Sequence, residues 1–393
     1  MTAAFPVALA GDVDDDPDFR ERVRTWLAEH VPREKRPIPP TEARSYDLAW
    51  QRTMFDGGWA GISWPSEFGG LGLPLLHQMV WHEEYAKARA PYVGVCFVGL
   101  NHGGPTLIAR GTDEQKATYL PPILRGDVVW CQGFSEPGAG SDLASLSTRG
   151  EIDGDEIVVN GQKIWTSYGD VADLQELLVR TDRSGSKHQG ITWVVCDMRS
   201  PGIEVRPMTT MAGTKDFCEV FYTDVRIPLR NVVGEVDKGW SVALSTLAFE
   251  RGTAFVSQQI DLARTVEELI DYARTTTGLR RRPLIEDEQT AQTLARLRAE
   301  VTAMRALSHL MISRAESGEP DARGSIVRLF FTQLQQRVWR AAFDLLGPRG
   351  LSATEYGGWT YYYLHSFSRT IAGGTKDIQR NIIGERVLGL PRN

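Results

Sequence analysis

The stretch FSEPGAGSD, from Phe134 to Asp142, lies where the residue pattern of the chain changes. Before it, apolar residues recur every three or four positions, as in ERVRTWLAEHV at 21–31, and this spacing predicts amphipathic helices. After it come short β-branched segments separated by Gly, Pro, Ser and Asp, which predict strands. From 239 onward the helical spacing returns. The order helices, strands, helices predicts an α+β fold that is mostly α.

These changes of pattern predict three domains. We expect an all-helical domain at 1–126, a mostly antiparallel β domain at 127–236 and a helical bundle at 237–393. The β domain should contain the segments EIVVNGQKIW, ITWVVCDM, IEVRPMTTM and CEVFYTDVRIP, with a hairpin turn at Asn160-Gly161. Thr112 followed by Gln115 predicts the capped start of a helix. In the last domain, two apolar series at helical spacing predict long helices that pack as a bundle.

Composition excludes several classes of protein. The chain has 393 residues and a net charge of −6, with no long basic run, so a nucleic-acid surface is not expected. No run of about 18 apolar residues occurs, so no membrane span is expected. The N-terminal segment has no basic region and is followed by acids, which favours a cytoplasmic protein. The four cysteines are scattered, which predicts buried thiols and no disulfide or zinc site.

Two common nucleotide-binding motifs are also excluded. The sequence GGLG at 69–72 is followed by Pro74, and no strand–helix–strand unit surrounds it. No GxxxxGK[ST] loop is present. A bound cofactor would therefore be held by another kind of site.

The glycine-rich stretch itself allows two interpretations. It contains two acids, Glu136 and Asp142, and no lysine, so it does not resemble a phosphate loop. Its glycines could simply form a turn. Alternatively, the stretch and the later WTS at 165–167, a tryptophan beside two hydroxyls, could form the edge of a site for a planar aromatic ligand.

Several long motifs resemble the acyl-CoA dehydrogenases. These motifs are GWAGISWPSEFGGLGL, FSEPGAGSDLASL, NGQKIWTSYGDVAD, FYTDVRIP with NVVGEVDKGW, and IAGGTKDIQRNIIGERVLGLPR, and they follow the family's order over nearly the whole chain. The resemblance implies an N-terminal helical domain, a middle β domain and a C-terminal four-helix bundle. It also implies FAD as cofactor and the α,β-dehydrogenation of an acyl-CoA thioester, with hydride transfer to flavin N5.

The resemblance assigns roles to residues around the glycine-rich stretch. Phe134, Ser135, Trp165 and Ser167 would contact the flavin, and Ser141 would face the pantetheine arm of CoA. Many family members carry the catalytic glutamate where this chain has Gly373, which has no side chain to act as a base. In the family a backbone N–H binds the thioester oxygen, and here that N–H would belong to Gly373 or its neighbour.

A second family arrangement supplies a base at another position. It places the glutamate on a bundle helix directly before an arginine, and LAFERGTAF provides Glu250 followed by Arg251. We therefore expect Glu250 to remove the α-proton and Arg251 to lie near the substrate. The open position at Gly373 is compatible with a branched, bulky or steroid-side-chain acyl group.

The remaining cofactor residues follow the family pattern less closely. Arg274 and Gly278 match the segment that binds the adenine half of FAD, but Thr277 replaces a phenylalanine, and Thr276 could still offer a hydroxyl. Thr375 and the acids Asp344 and Asp377 match other cofactor-binding positions, and the two acids stand where Gln or Glu is common. The chain could form the family's homotetramer or an α2β2 heterotetramer with a related chain. Its electron acceptor would be an electron-transfer flavoprotein.

Two other activities remain open on the same fold. One is an acyl-CoA oxidase or flavin-dependent monooxygenase, although the typical oxidase has an extra C-terminal domain. The other is a non-catalytic subunit, either a partner chain or a nucleic-acid-associated relative. The presence of FSEPGAGSD, WTS and Glu250 argues against the second.

Overall fold

The computed structural model describes residues 16–249, 255–278, 281–316, 324–352 and 357–391, without the side chains of 255 and 313–316. Its contacts divide the chain into two compact units. The first unit consists of Met1–Val31, Leu73–Ala90 and Thr253–Asn393, and the second consists of Pro32–Gly72 and Pro91–Gly252.

The helices flank a central run of strands along the chain. They are α1 (Pro17–His30), α2 (Pro40–Asp56), α3 (Leu75–Lys87), α4 (Gly104–Arg110), α5 (Asp113–Arg125), α6 (Gly239–Phe249), α7 (Phe255–Thr275), α8 (Glu288–Glu316), α9 (Gly324–Leu346), α10 (Pro348–Ser352), α11 (Trp359–Arg369) and α12 (Lys376–Ile382). The strands are β1 (Trp130–Gly133), β2 (Arg149–Asp153), β3 (Glu156–Ser167), β4 (Leu174–Arg180), β5 (Ile191–Asp197), β6 (Ile203–Met208) and β7 (Phe217–Pro228). The predicted order of helices, strands and helices is confirmed.

The second unit is built on one mixed sheet. Its strands run in the order β1-β4-β2-β3-β7-β6, and β5 pairs with β4. The pairs β2–β3, β3–β7, β4–β5 and β6–β7 are antiparallel, whereas β1 and β2 pair with β4 in parallel. Side chains alternate between the two faces, as Trp130 packs in one core cluster and Cys131 in another. The first of these clusters also contains Leu107 of α4 and Val242 of α6, so helices cover that face.

The first unit is a helical bundle with a helix pair against it. Helix α7 packs on α8 and α9, and α9 packs on α11, which gives the expected four helices. Their core consists of residues that recur at helical spacing, including Leu269, Leu297, Leu334 and Val338, all almost fully buried. Helix α3 packs on α7 and α8, and α1 packs on α3.

Several local predictions are confirmed. Thr112 and Gln115 form a capping box at the start of α5, in which each side chain bonds the other residue's backbone N–H. All four cysteines are free and buried. Burial raises the pKa of the Cys96 and Cys196 thiols to about 12. Within the described ranges, no helix is long and apolar enough to cross a membrane.

The predicted hairpin turn at Asn160-Gly161 is wrong. Both residues lie inside the long strand β3, where a register shift against β7 falls between Val159 and Gly161. The side-chain NH2 of Asn160 donates to the carboxylate of Asp224 of β7 at 2.9 Å, and its side-chain oxygen accepts the backbone N–H of Asp224 at 2.9 Å. The chain reverses earlier, between β2 and β3, where Gly154 has a φ of 64°. The Asn-Gly pair therefore forms a bulge inside β3. A bulge, like the expected hairpin turn, can require a glycine conformation that other residues rarely adopt.

We expect Gly239→Ala to destabilise the second unit by about 2 kcal/mol. A Cβ at Gly239, the first residue of α6, would lie 2.3 Å from the backbone N of Trp193 and 2.7 Å from the carbonyl carbon of Thr192. Strand β5 cannot yield, because its residues are buried on both faces. Urea unfolding of Gly239→Ala and of wild type would measure the difference in their free energies of unfolding. Gly324→Ala is the matched control, because no atom lies within 4 Å of that position. A Gly239→Ala protein as stable as Gly324→Ala would contradict this packing.

Candidate active site

The glycine-rich stretch forms a tight turn after β1. The N–H of Glu136 bonds the carbonyl of Ala139 at 2.9 Å, and the N–H of Ala139 bonds the carbonyl of Glu136 at 3.0 Å. Gly138 and Gly140 are exposed, and a Cβ at either would meet no atom within 4 Å. Phe134 packs in the core below them. The turn therefore has an apolar base and an open, small-residue rim.

Trp165 is held in an unusual conformation at the end of β3. A second register shift against β7 falls between Lys163 and Thr166, and Trp165 between them has a φ of 61°. Positive φ is costly for a bulky L-residue, and such strain is concentrated at functional sites. The indole is 57% exposed and contacts the edge of Phe217, with ring centroids 6.0 Å apart. The strained backbone thus turns a large flat side chain toward solvent.

Two serines lie close to Trp165. One is near it in the sequence, and the other is hydrogen-bonded to the residue before it. Ser167 is two residues further along β3, and the carbonyl of Ser135 accepts from the N–H of Ile164 at 2.9 Å. Both serines are half-buried, and within the described part of the chain neither hydroxyl has a hydrogen-bond partner. An exposed aromatic ring with free hydroxyls beside it fits a planar ligand that carries polar groups at its edge. Ser141 is exposed in the same turn.

A buried lysine that the sequence interpretation missed joins these parts. Lys163 is fully buried and donates to the Phe134 carbonyl at 3.1 Å and to Glu136 Oε1 at 2.8 Å. Burial lowers the pKa of Lys163 to about 8, even though Glu136 favours its charged form. The signal was present in the sequence, because an acid in a buried turn requires a cation, and Lys163 is the second residue of QKIW, two residues before Trp165.

Helix α6 is described as far as Phe249, the residue directly before the proposed base. The hydroxyls of Thr106 on α4 and Thr246 on α6 are buried and bond each other at 2.8 Å. This bond fixes the part of α6 around Thr246 against α4. Glu250 and Arg251 themselves lie outside the described residues, so their predicted roles stay predictions.

In the first unit, Gly373 lies in a turn that is fixed from two sides. It has a φ of 63°, so a glutamate side chain at this position would be strained. Arg328 of α9 donates to the carbonyl of Ala372, and Gln379 of α12 donates to the carbonyl of Gly373 at 3.0 Å. Among the described residues, the N–H of Gly373 has no acceptor. In this turn the carbonyls of Ala372 and Gly373 are therefore already hydrogen-bonded, and the N–H of Gly373 can donate to a ligand.

The residues expected to bind the adenine half of the cofactor also lie in the first unit. Arg274 is exposed and pairs with Asp271 at 3.4 Å, and the Thr276 backbone bonds both Tyr272 and Leu284. Thr375 caps α12. The two acids at expected cofactor-binding positions are each paired with an arginine, Asp344 with Arg340 at 3.0 Å and Asp377 with Arg380 at 3.2 Å.

Comparison with known proteins assigns the chain to a family. Three family models match in sequence order: the acyl-CoA dehydrogenase N-terminal domain at 14–127, the middle domain at 131–225 and the C-terminal domain at 237–388. The acyl-CoA dehydrogenase IpdE1 of Mycobacterium tuberculosis is 37% identical over 389 residues, which cover 97% of this chain and 99% of that protein. The chain belongs to the acyl-CoA dehydrogenase family.

Other acyl-CoA dehydrogenases are similar over the same length. FadE26 of Mycobacterium tuberculosis is 35% identical over 95% of this chain and 97% of its own. Among solved structures, the Tcur3481-Tcur3483 steroid ACAD matches with a TM-score of 0.84 and 31% identity over the whole of both chains. The ChsE4-ChsE5 complex from Mycobacterium tuberculosis matches with a TM-score of 0.81 and 33% identity, also over the whole of both chains.

This chain is therefore an oxidoreductase of the acyl-CoA dehydrogenase class, and that family is flavin-dependent. The predicted family, fold class and enzyme class are confirmed. The domain boundaries and the roles of individual residues are not tested by these similarities and stay predictions.

Proposed function

We propose that this enzyme is an FAD-dependent dehydrogenase that converts an acyl-CoA with a steroid-derived or similarly bulky acyl group into the trans-2-enoyl-CoA. The observation that carries the substrate class is the full-length similarity to a structure described as a steroid ACAD, at a TM-score of 0.84. The glycine at 373 supports it, because a family glutamate at that position would occupy space that Gly373 leaves free.

The proposed chemistry assigns one task to each residue. Glu250 removes the α-proton of the thioester, and Arg251 orients the substrate. The N–H of Gly373 donates to the thioester oxygen as negative charge develops there, which favours ionisation of the α-carbon. Trp165, Ser135 and Ser167 hold the flavin ring, the backbone at Phe134 supports it, and Ser141 binds the pantetheine arm. Bound FAD would supply the acceptor for the hydride that leaves the β-carbon.

We propose Arg274, Thr276, Asp344, Thr375 and Asp377 as contacts for the rest of FAD. Because the two acids are paired with arginines, their charges are offset before any phosphate approaches. Both similar solved structures are described by the names of two chains. This supports an α2β2 heterotetramer with a related chain over the homotetramer. The electrons would pass to an electron-transfer flavoprotein.

An anaerobic titration would test the proposed function. The chain is purified alone and together with a candidate related chain of the same family, and the visible spectrum is recorded. Straight, branched and steroid-side-chain acyl-CoAs are then added without oxygen. We expect bound yellow flavin that bleaches fastest with the steroid class. Bleaching only by straight-chain substrates would refute the substrate class, and rapid oxygen consumption after reduction would identify an oxidase.

A further inference from the structure

The glycine-rich turn is attached to β3 by a buried ammonium group. Nζ of Lys163 reaches two residues of the turn, the carbonyl of Phe134 at 3.1 Å and the carboxylate of Glu136 at 2.8 Å. Ser135, between them, accepts the N–H of Ile164 through its own carbonyl at 2.9 Å. Three successive residues of the turn are thus bonded to two successive residues of the strand.

The carboxylate of Glu136 extends this attachment to the far end of the loop. It also accepts the N–H of Ser147 at 2.6 Å, the Ser147 hydroxyl at 2.8 Å and the N–H of Thr148 at 2.8 Å. Burial alone would raise the pKa of Glu136, but the charge of Lys163 and these donors hold it at about 2. The carboxylate is therefore ionised at any pH at which the protein would be active.

Stability alone does not explain a lysine at this position. A fully buried ion pair usually contributes no more than a well-packed apolar pair of the same volume, because removing both charges from water is costly. What it adds is directional bonding, since the ammonium fixes the distance between its two acceptors. Those acceptors flank Ser135, and Lys163 lies two residues before Trp165 and four before Ser167.

We propose that Lys163 is a positioning residue of the flavin site, which holds Ser135 at a fixed place beside the strand that carries Trp165 and Ser167. The inference rests on the proposed function, because it takes the ligand of these residues to be the flavin. It concerns a residue that would not itself contact the ligand.

The test compares two lysines that pair with acids of the same stretch. Lys163→Met removes the buried ammonium and keeps an unbranched side chain only one heavy atom shorter. Lys187→Met is the matched control, because Lys187 pairs with Asp142 at 2.8 Å but both side chains are more than half exposed. FAD released from the diluted holoprotein is measured by its fluorescence. We expect the flavin dissociation constant to rise about tenfold or more in Lys163→Met and to change less than about twofold in Lys187→Met.

A second variant separates positioning from folding. Lys163→Met leaves a buried negative charge, whereas Lys163→Met with Glu136→Gln leaves none. We expect the double variant to regain most of the lost thermal stability while its flavin dissociation constant stays high. Recovery of normal flavin affinity in the double variant would show that Lys163 only compensates a charge, and would overturn the proposal.

The pH profile gives an independent measurement. The groups whose charges act on the ammonium are Glu136, which favours the proton, and Arg180, which disfavours it. Because the pKa of Lys163 is about 8, wild-type flavin affinity should fall as pH rises above 8. Lys163→Met should show no such fall, and equal profiles would overturn the proposal.

If wild type never binds flavin, alone or with a partner chain, the proposed function fails as well. If wild type binds flavin and Lys163→Met binds it equally, only this inference fails.

Discussion

Replacing Glu250 by glutamine should reduce the rate of flavin bleaching by acyl-CoA about 1,000-fold. A carboxamide has nearly the shape of the carboxylate but cannot accept a proton, and a positioned general base contributes about 100- to 10,000-fold to such a step. The effect should be large because this chain has no second carboxylate at the family's alternative position, where Gly373 stands. Stopped-flow absorbance under anaerobic conditions measures the rate directly.

Two controls make this result specific. Binding of the enoyl-CoA product, followed by the change it causes in the flavin spectrum, should differ from wild type by less than about threefold, because the amide has nearly the shape of the carboxylate. Glu235→Gln should leave the bleaching rate unchanged, because Glu235 is 70% exposed and pairs with Lys238 ahead of α6. If Glu250→Gln bleaches at the wild-type rate, the base lies elsewhere and the second family arrangement does not apply to this chain.

The helices could be predicted from sequence because the information that forms them is local. The series through Leu294, Leu297 and Val301 has the spacing of one helical face, and all three side chains are buried in the bundle core. Strand β4 was not among the predicted strands, because Gln175 and Glu176 interrupt its apolar run. The structure buries both, with the Tyr222 hydroxyl donating to Gln175 at 2.5 Å and Gln132 donating to Glu176 at 2.7 Å. Partners from two other strands, β7 and β1, decide that burial, and no local pattern contains them.

The candidate site likewise has features that local sequence predicts and features that distant residues determine. Its residue types could be inferred from the motifs, but the features that make Trp165 and Gly373 distinctive are conformational. A bulge depends on how β3 aligns with β7, and the turn at Gly373 depends on Arg328, which is 45 residues away in sequence. Lys163 shows the same limit, because its acceptors in the glycine-rich turn are 27 and 29 residues earlier.

Arg20→Met should lower the free energy of unfolding of the first unit by about 3–5 kcal/mol. Arg20 of α1 is 4% exposed and pairs with two buried carboxylates of α3, Glu84 at 2.7 Å and Glu83 at 3.0 Å. Arg305 of α8 pairs with Glu83 at 2.8 Å from the other side. Removing Arg20 leaves two adjacent buried acids short of one positive charge, and that uncompensated charge is the source of the cost. Urea unfolding at neutral pH, followed by circular dichroism, would measure it.

The pH dependence of the same measurement identifies the cause. Burial alone would raise the pKa of Glu83 and Glu84, but bonds from His309, Lys87 and the arginines outweigh it, so both values lie below the usual 4.5. Stability from this source is therefore present above pH 4.5 and lost as pH falls, and the loss on acidification should be smaller in Arg20→Met than in wild type.

Arg24→Met is the matched control for Arg20→Met. Arg24 bonds Glu84 at 3.1 Å but is 52% exposed, so water replaces it and the cost should stay below about 1 kcal/mol. Equal losses in the two variants would mean that burial does not decide the strength of this cluster. A small loss in Arg20→Met would mean that the other cations suffice, Arg305 for Glu83 and Arg24 with Lys87 for Glu84. The buried apolar residues of α1, such as Val23 and Leu27, would then account for its stability.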